Sequence, residues 1–386
     1  MILFSKPSVT KKELKFVKQV LNKKILTDGF FQNKAEKLIK KKINSNFIAL
    51  TQSCTDALEM AANLIQLKPN DEVIVPSYTF TSTANAIVLR GAKPVFVDIK
   101  PENLQIDDQK IEKLITKKTK AIFVVHYGGN FIDLKKILLL KKKYNLFLIE
   151  DTAHSFLASR NKKFAGTIGD IGVFSFHETK NITGGQGGAI SINNNKLIKR
   201  ANFLLDKGTD RINFLKNYKK QFISENKIIK KKFYSWVDIG SEYRASELSS
   251  ALIYSQLTRS NEIKKKRKSI WENYYRFFKN LNRKDIELLH NDKTVKHSYH
   301  LFCIILKNKK LIFNFRSYLQ KKQIPATFHY VPLHSSKFGK KFTHGDMSVT
   351  NDIWNRVVRF PLYPDLTKKE FLKIINTIKK FFINAR

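Results

Sequence analysis

An α/β fold, a sheet with helices on its faces, is what this sequence predicts, on three observations. Between residues 45 and 195 short apolar runs alternate with segments of helical period, the pattern of strands joined by helices. Several of the runs are apolar without alternation, as strands covered on both faces are. Polar residues follow directly at the ends of several runs, which is where open α/β sheets collect their ligands.

In chain order, the apolar runs predict strands over 72–75, 94–97, 121–125, 146–149, 172–175 and 188–192. Helices are predicted to begin after Ser53-Cys54-Thr55 and after Ser82-Thr83. The polar groups expected to converge at the strand ends are Ser77 and Tyr78, Asp98, His126 and Tyr127, Glu150 and Asp151, and Ser175 and His177. Residues 207–236 break the regularity and read as a long surface excursion. A helical segment from Ser246 to about Lys279 leads into a second apolar and basic region, in which 299–306 reads as a strand. A turn-rich stretch over 328–334 precedes a helical C-terminus from Lys368 onward. These elements predict a large unit over 1–245, with an N-terminal segment, and a small C-terminal α/β unit over 246–386.

Composition narrows the functional classes. The longest apolar stretches are interrupted by lysines well before the roughly 20 residues that a membrane span needs, and the start of the chain lacks a secretory signal. A cytoplasmic protein without membrane insertion is therefore expected. Two cysteines, Cys54 and Cys303, suffice neither for a disulfide framework nor for a zinc site, so no metal is expected. The 72 Lys and Arg against 32 Asp and Glu give a formal net charge of +40. That charge is scattered in short clusters such as Lys141-Lys142-Lys143, which read as solvated faces and not as a specific nucleic-acid surface. The abundance of Ile, Asn, Phe and Lys matches the residue usage of an adenine- and thymine-rich genome.

The chemistry is concentrated in Phe174-Ser175-Phe176-His177-Glu178-Thr179-Lys180, followed by Gly184-Gly185-Gln186-Gly187-Gly188. A strand that runs into a lysine and then a glycine-rich turn presents one amine in a tight backbone pocket, suited to an imine with an aldehyde cofactor. In a chain this basic, a solvated surface role is the standing alternative for any one lysine. About 30 residues upstream, Glu150-Asp151-Thr152-Ala153-His154 places a carboxylate after an apolar strand. A buried carboxylate there would keep a pyridine nitrogen protonated; a helix cap is the other reading. The third element, Thr51-Gln52-Ser53-Cys54-Thr55, opens a helix whose free N–H groups would bind phosphate, or is an ordinary N-cap.

With Pro76-Ser77-Tyr78-Thr79-Phe80 added, this set strongly resembles the DegT/StrS-type sugar aminotransferases in order and spacing, from near Leu26 to the C-terminal helix. The resemblance implies the pyridoxal-phosphate-dependent transferase fold of the aspartate aminotransferase type, fold type I, with a mostly parallel central sheet and a smaller C-terminal α/β domain. It implies pyridoxal 5'-phosphate as cofactor, with Lys180 as its covalent anchor, Asp151 at the ring nitrogen and His154 by the ring hydroxyl. Phe80 would stack on the ring, Cys54 and Thr55 would offer N–H groups to the phosphate, Ser175 would add its hydroxyl, and His177 would lie nearby. A homodimer is implied, in which Arg244 reaches the partner subunit's phosphate. Several members of the family carry asparagine where Arg244 stands and glutamate where Gln186 stands.

The implied reaction moves an amino group from glutamate to a nucleotide-linked 4-keto-6-deoxy sugar. The segments 71–80, 89–93, 174–181 and 328–334 most resemble family members acting on a dTDP-linked sugar. A UDP- or GDP-linked keto-sugar is the alternative substrate, and a non-catalytic cofactor-binding or nucleic-acid-binding protein the alternative class; Lys180, Asp151 and His154 together argue against the latter. For His329, Tyr330 and His334, a structural turn role and a sugar contact both stand open.

Overall fold

The computed structural model describes residues 2–211 and 234–384. Strands follow in chain order as β1 (Ile48–Thr51), β2 (Glu72–Pro76), β3 (Lys93–Val97), β4 (Thr119–Val125), β5 (Phe147–Asp151), β6 (Ser159–Arg160), β7 (Lys163–Phe164), β8 (Ile171–Ser175) and β9 (Gly188–Ile192). Seven of them form one sheet in the order β1-β9-β8-β5-β4-β2-β3. Neighbours among β3, β2, β4, β5 and β8 pair parallel, while β9 runs antiparallel to both β8 and β1. The sheet is thus mostly parallel, as expected, and the six predicted strands are all present. β1 is an addition to them: its four residues follow a helix closely and carry no pattern that separates them from its end.

Alternate residues of each strand feed different cores, as side chains of period two must. Val73, Val75, Phe123 and Ile149 pack on one face with Leu58, Ala61 and Ala62 of the helix Cys54–Leu64. Ile74, Ile122, Val124 and Leu148 pack on the other with Ile137 and Leu140 of the helix Lys135–Lys143. Burial on both faces is why these strands read as continuous apolar runs.

A second sheet joins β10 (Ile286–Leu288), β12 (Phe302–Leu306) and β13 (Val357–Phe360) antiparallel, while β11 (Val295–Lys296) pairs with β6. Its core gathers Trp271, Tyr274, Phe302, Phe315, Phe360 and Ile374, and Ile2 joins them from the N-terminus. The helical stretch expected from Ser246 divides into Glu247–Thr258 and Ser260–Leu281, with Arg259 outside helical geometry at φ −106° and ψ 8°. The strand expected over 299–306 starts at Phe302, because Tyr299 takes a left-handed φ of 58° that no strand accommodates. The C-terminal helix spans Lys368–Asn384. Of the surface excursion expected over 207–236, residues 212–233 lie outside the described residues; its flanks meet in a bridge between Thr209 and Trp236.

One close approach sets the geometry of the site. A Cβ on Gly188 would lie 2.4 Å from the carbonyl of Ser53 and 2.5 Å from the nitrogen of Cys54. Only glycine lets the start of the helix Cys54–Leu64 come so near the first residue of β9.

Candidate active site

The carboxyl ends of the parallel strands open into a cavity of about 380 Å³, within the range of small-molecule sites. Lys180 lines it, on the turn that leaves β8, with its N–H donating to the carbonyl of His177 at 2.9 Å. Desolvation holds the amine down to about 8; the positive charge of Arg359 adds to this, against the opposing pull of Cys54 and Asp151.

Two carboxylates stand side by side at the end of β5, and the pleat sends them to different fates. Glu150 is fully buried and accepts from His126 Nε2 at 2.9 Å and from the N–H groups of Gly166, Ile168 and Gly169 at 2.9, 2.7 and 2.6 Å. Burial pushes its carboxyl up, but these donors hold it below the usual range. Asp151 lines the cavity, accepting from Ala153 N–H at 3.0 Å and Thr83 Oγ1 at 2.8 Å. Burial pushes its carboxyl up, and those two bonds with the charge of Lys180 offset this only in part. A desolvated carboxylate without an ion-pair partner among the described residues is suited to receive a protonated heterocycle.

His154 stacks on His300 with ring centroids 4.4 Å apart, and its Nε2 meets the Tyr330 hydroxyl at 3.2 Å. Burial, then the positive charges of Lys180 and Arg359, hold His154 well below the usual histidine range, so the ring is neutral near pH 7. Across the cavity lies the start of the helix Cys54–Leu64. Ser53 caps it by accepting from Asp56 N–H at 3.0 Å, and the first-turn N–H groups of Cys54 and Thr55 have no intrahelical acceptor. Both residues line the cavity, and Thr55 Oγ1 lies 2.8 Å from Ser82 Oγ. Ser175 lines it from the end of β8 and accepts from His177 N–H at 3.4 Å, while His177 Nδ1 pairs with Thr179 Oγ1 at 3.1 Å. Phe80, 60% exposed, stands at the rim with its ring 6.4 Å from that of Tyr330.

The residue set thus fits pyridoxal phosphate: an amine that burial holds down to about 8, a buried carboxylate with no ion-pair partner among the described residues, and open N–H groups at a helix start. Of the residues singled out in the sequence, Lys180, Asp151, His154, Ser175, Phe80, Cys54, Thr55 and His177 share one cavity. Arg244 is not among its lining residues; it pairs with Asp28 at 3.6 Å, its backbone bridged to Thr51. His334 has a structural role, with Nδ1 on Ser77 Oγ at 2.7 Å and Nε2 on Asn351 Oδ1 at 3.1 Å. His329 and Tyr330 line the cavity, together with Phe4, Arg267, His300 and Arg359, which the sequence did not single out. Among 72 basic residues nothing local marks these two arginines.

Residues 7–379 match the family model of the DegT/DnrJ/EryC1/StrS aminotransferase family. The chain is 32% identical over 387 residues to the uncharacterized protein MJ1066 of Methanocaldococcus jannaschii, covering 99% of this chain and 97% of that protein. It is 30% identical over 383 residues to the GDP-perosamine synthase of Escherichia coli O157:H7, covering 97% of each. Among solved structures it is similar to the PLP-form of a Streptococcus pneumoniae protein assigned as a sugar aminotransferase, with a TM-score of 0.87 and 25% identity over 100% of this chain and 99% of that one. Among the described residues no helix is long and apolar enough to cross a membrane.

Proposed function

Since the chain belongs to the DegT/DnrJ/EryC1/StrS aminotransferase family and is a pyridoxal-phosphate-dependent sugar aminotransferase, we propose that it transfers an amino group from glutamate to a nucleotide-linked 4-keto-6-deoxy sugar. The observation that carries the site assignment is Lys180, an amine held to about 8 in the same cavity as the Asp151 carboxylate, which has no ion-pair partner among the described residues. The cofactor, when bound, supplies an aldehyde that condenses with amines and a ring that accepts the electron pair of a breaking bond.

The chain's own residues do the rest. Lys180 anchors the cofactor and, released, moves a proton at the donor's α-carbon in one half-reaction and at the sugar carbon in the other. A pKa near 8 leaves enough of the amine neutral to act as a base while its conjugate acid still donates. Asp151, oriented by Thr83 and Ala153, keeps the ring nitrogen protonated. His154, a neutral imidazole, meets the ring hydroxyl. The helix start at Cys54 and Thr55, with the Ser175 hydroxyl, receives the phosphate, and Phe80 covers the ring. His177 steadies the lysine turn through Thr179 and the carbonyl bond to Lys180. Arg244, which does not line its own chain's cavity, is assigned to the partner subunit's site in a homodimer.

The substrate favoured by the motif resemblance is dTDP-4-dehydro-6-deoxyglucose, giving dTDP-4-amino-4,6-dideoxygalactose. A GDP-linked sugar is the second reading, favoured by the identity to the GDP-perosamine synthase. The test is the absorbance spectrum of the protein with pyridoxal phosphate, before and after glutamate, beside Lys180→Ala, followed by dTDP-, GDP- and UDP-linked 4-keto-6-deoxy sugars. A visible band that glutamate bleaches, absent from the variant, is expected, with turnover greatest on the dTDP sugar. A wild-type spectrum that glutamate leaves unchanged would refute the donor assignment.

A further inference from the structure

The cavity holds a cation that none of these roles employs. Arg359 sits on β13, yet its side chain lines the same cavity as Lys180, and it is only 8% exposed. A guanidinium this deep is ordinarily set against a carboxylate, and among the described residues Arg359 has none. Its Nη1 meets Nε2 of His329, and the ring of Phe4 lies 4.8 Å from the guanidinium carbon. His329 brings no negative charge: burial and the charges of Arg359 and Lys180 hold that ring down to about 2, so it is a neutral imidazole. Nε of Arg359 is buried without a hydrogen-bond partner among the described residues. The contact of Nη1 with His329 leaves the Nε–Nη2 edge, the pair of parallel N–H groups that matches a carboxylate side-on.

The surroundings reinforce the imbalance. Arg267, the other arginine lining the cavity, is committed to backbone carbonyls, with Nε on Tyr299 O at 2.9 Å and Nη2 on His300 O. Among the described residues Asp151 is the sole acidic one lining the cavity, and it is engaged by Thr83 and Ala153. Three cationic side chains therefore face one carboxylate in a desolvated space. The helix start at Cys54 and Thr55 is the place for the cofactor phosphate, whereas Arg359 stands with His329, whose ring stacks 5.7 Å from His154. The anion missing at Arg359 must then arrive with a substrate.

We propose that Arg359 receives the α-carboxylate of the amino donor through its Nε–Nη2 edge, which rests on the reading of this cavity as an amino-acid-dependent aminotransferase site. The donor's α-carboxylate is bonded to the carbon that loses the amine, so it must travel as deep as Lys180 does. The diphosphate of a nucleotide sugar is separated from the keto carbon by the sugar ring and belongs nearer the mouth, where Phe80 is exposed. Depth thus favours the carboxylate over the diphosphate as the partner of a guanidinium that is nine-tenths buried.

The test is calorimetric binding of glutarate, which has no amine to transfer, to cofactor-loaded wild-type, Arg359→Gln and Arg359→Lys proteins, with dTDP as the diphosphate probe. Glutarate is expected to bind about 10-fold or more weakly to Arg359→Gln, and several-fold more weakly to Arg359→Lys, which keeps the charge without the fork. dTDP should bind all three alike, and the half-saturating glutamate concentration for bleaching should rise in parallel with the glutarate constant. If Arg359→Gln does not fold, the Arg359→Lys comparison decides alone. Equal glutarate binding in wild type and variant, or a selective loss of dTDP binding, would overturn the proposal. Intact bleaching with no glutarate binding sinks the Arg359 assignment only; glutarate binding that depends on Arg359 without any bleaching sinks the donor reading and leaves the carboxylate site standing.

Discussion

The adjacent carboxylates at the end of β5 should respond in opposite ways to the same neutralising change. In Glu150→Gln the amide oxygen can still accept from one side, but the NH2 group then faces N–H donors where an anion accepted them. Four donors converge on Glu150. With about half of them left without an acceptor, at roughly 1.5–3 kcal/mol for each bond to a charged group, the loss is about 3–6 kcal/mol of stability. Asp151→Asn differs because its oxygen keeps the Ala153 N–H and its NH2 can donate to the Thr83 hydroxyl. Removing a charge that burial disfavours then leaves the cofactor-free protein within about 1 kcal/mol of wild type, or slightly more stable. Function divides the other way. Loss of the partner of a buried cation costs about 3–5 kcal/mol, so glutamate-driven bleaching in Asp151→Asn should slow by roughly 100-fold or more. Urea unfolding of the cofactor-free proteins and stopped-flow bleaching of the loaded ones measure both effects. An Asp151→Asn protein as destabilised as Glu150→Gln, or one that bleaches at the wild-type rate, would refute the division of labour.

Further outcomes follow from the same geometry. The amine of Lys180 must be neutral to condense with an aldehyde, so the rate of cofactor uptake should rise with pH and level off above about 8; an inflection near 10 instead would mean that the amine is not desolvated. Gly188→Ala sets a Cβ against backbone at 2.4 Å, which should cost about 1–3 kcal/mol and weaken cofactor retention by displacing the helix start; unchanged melting and retention would count against that packing. Thr83→Val removes one of the bonds holding the Asp151 carboxyl down, so its pKa should rise further and the acid limb of the bleaching rate should move to higher pH, with little change at high pH. The folded-state pKa of Glu150 lies below its ordinary value, so its contribution to stability is present above about 4.5 and is lost as the pH falls through the depressed value. Glu150→Gln should accordingly flatten the acid side of the stability profile, read from urea midpoints across pH.

Much of this protein is determined locally. The unalternated runs of the parallel strands announce burial on both faces, and the segments around Ser53, Asp151 and Lys180 carry their chemistry in contiguous residues at recognisable spacing. Those parts were legible because periodicity, capping and turn formation act over a few residues. β1 escaped notice because four residues are too short for a period to show, and Tyr299 shortened its strand through a backbone angle that residue type does not dictate. Tertiary structure alone decided that Glu150 is spent on holding the loop over 166–169 while its neighbour faces the cavity. It alone brought Phe4 from the start of the chain, and Arg267, His300 and Arg359 from its last third, to Lys180. The charge of a cavity sums over side chains hundreds of residues apart, and one arginine among 72 basic residues becomes distinctive only when folding strips its water and leaves it no anion.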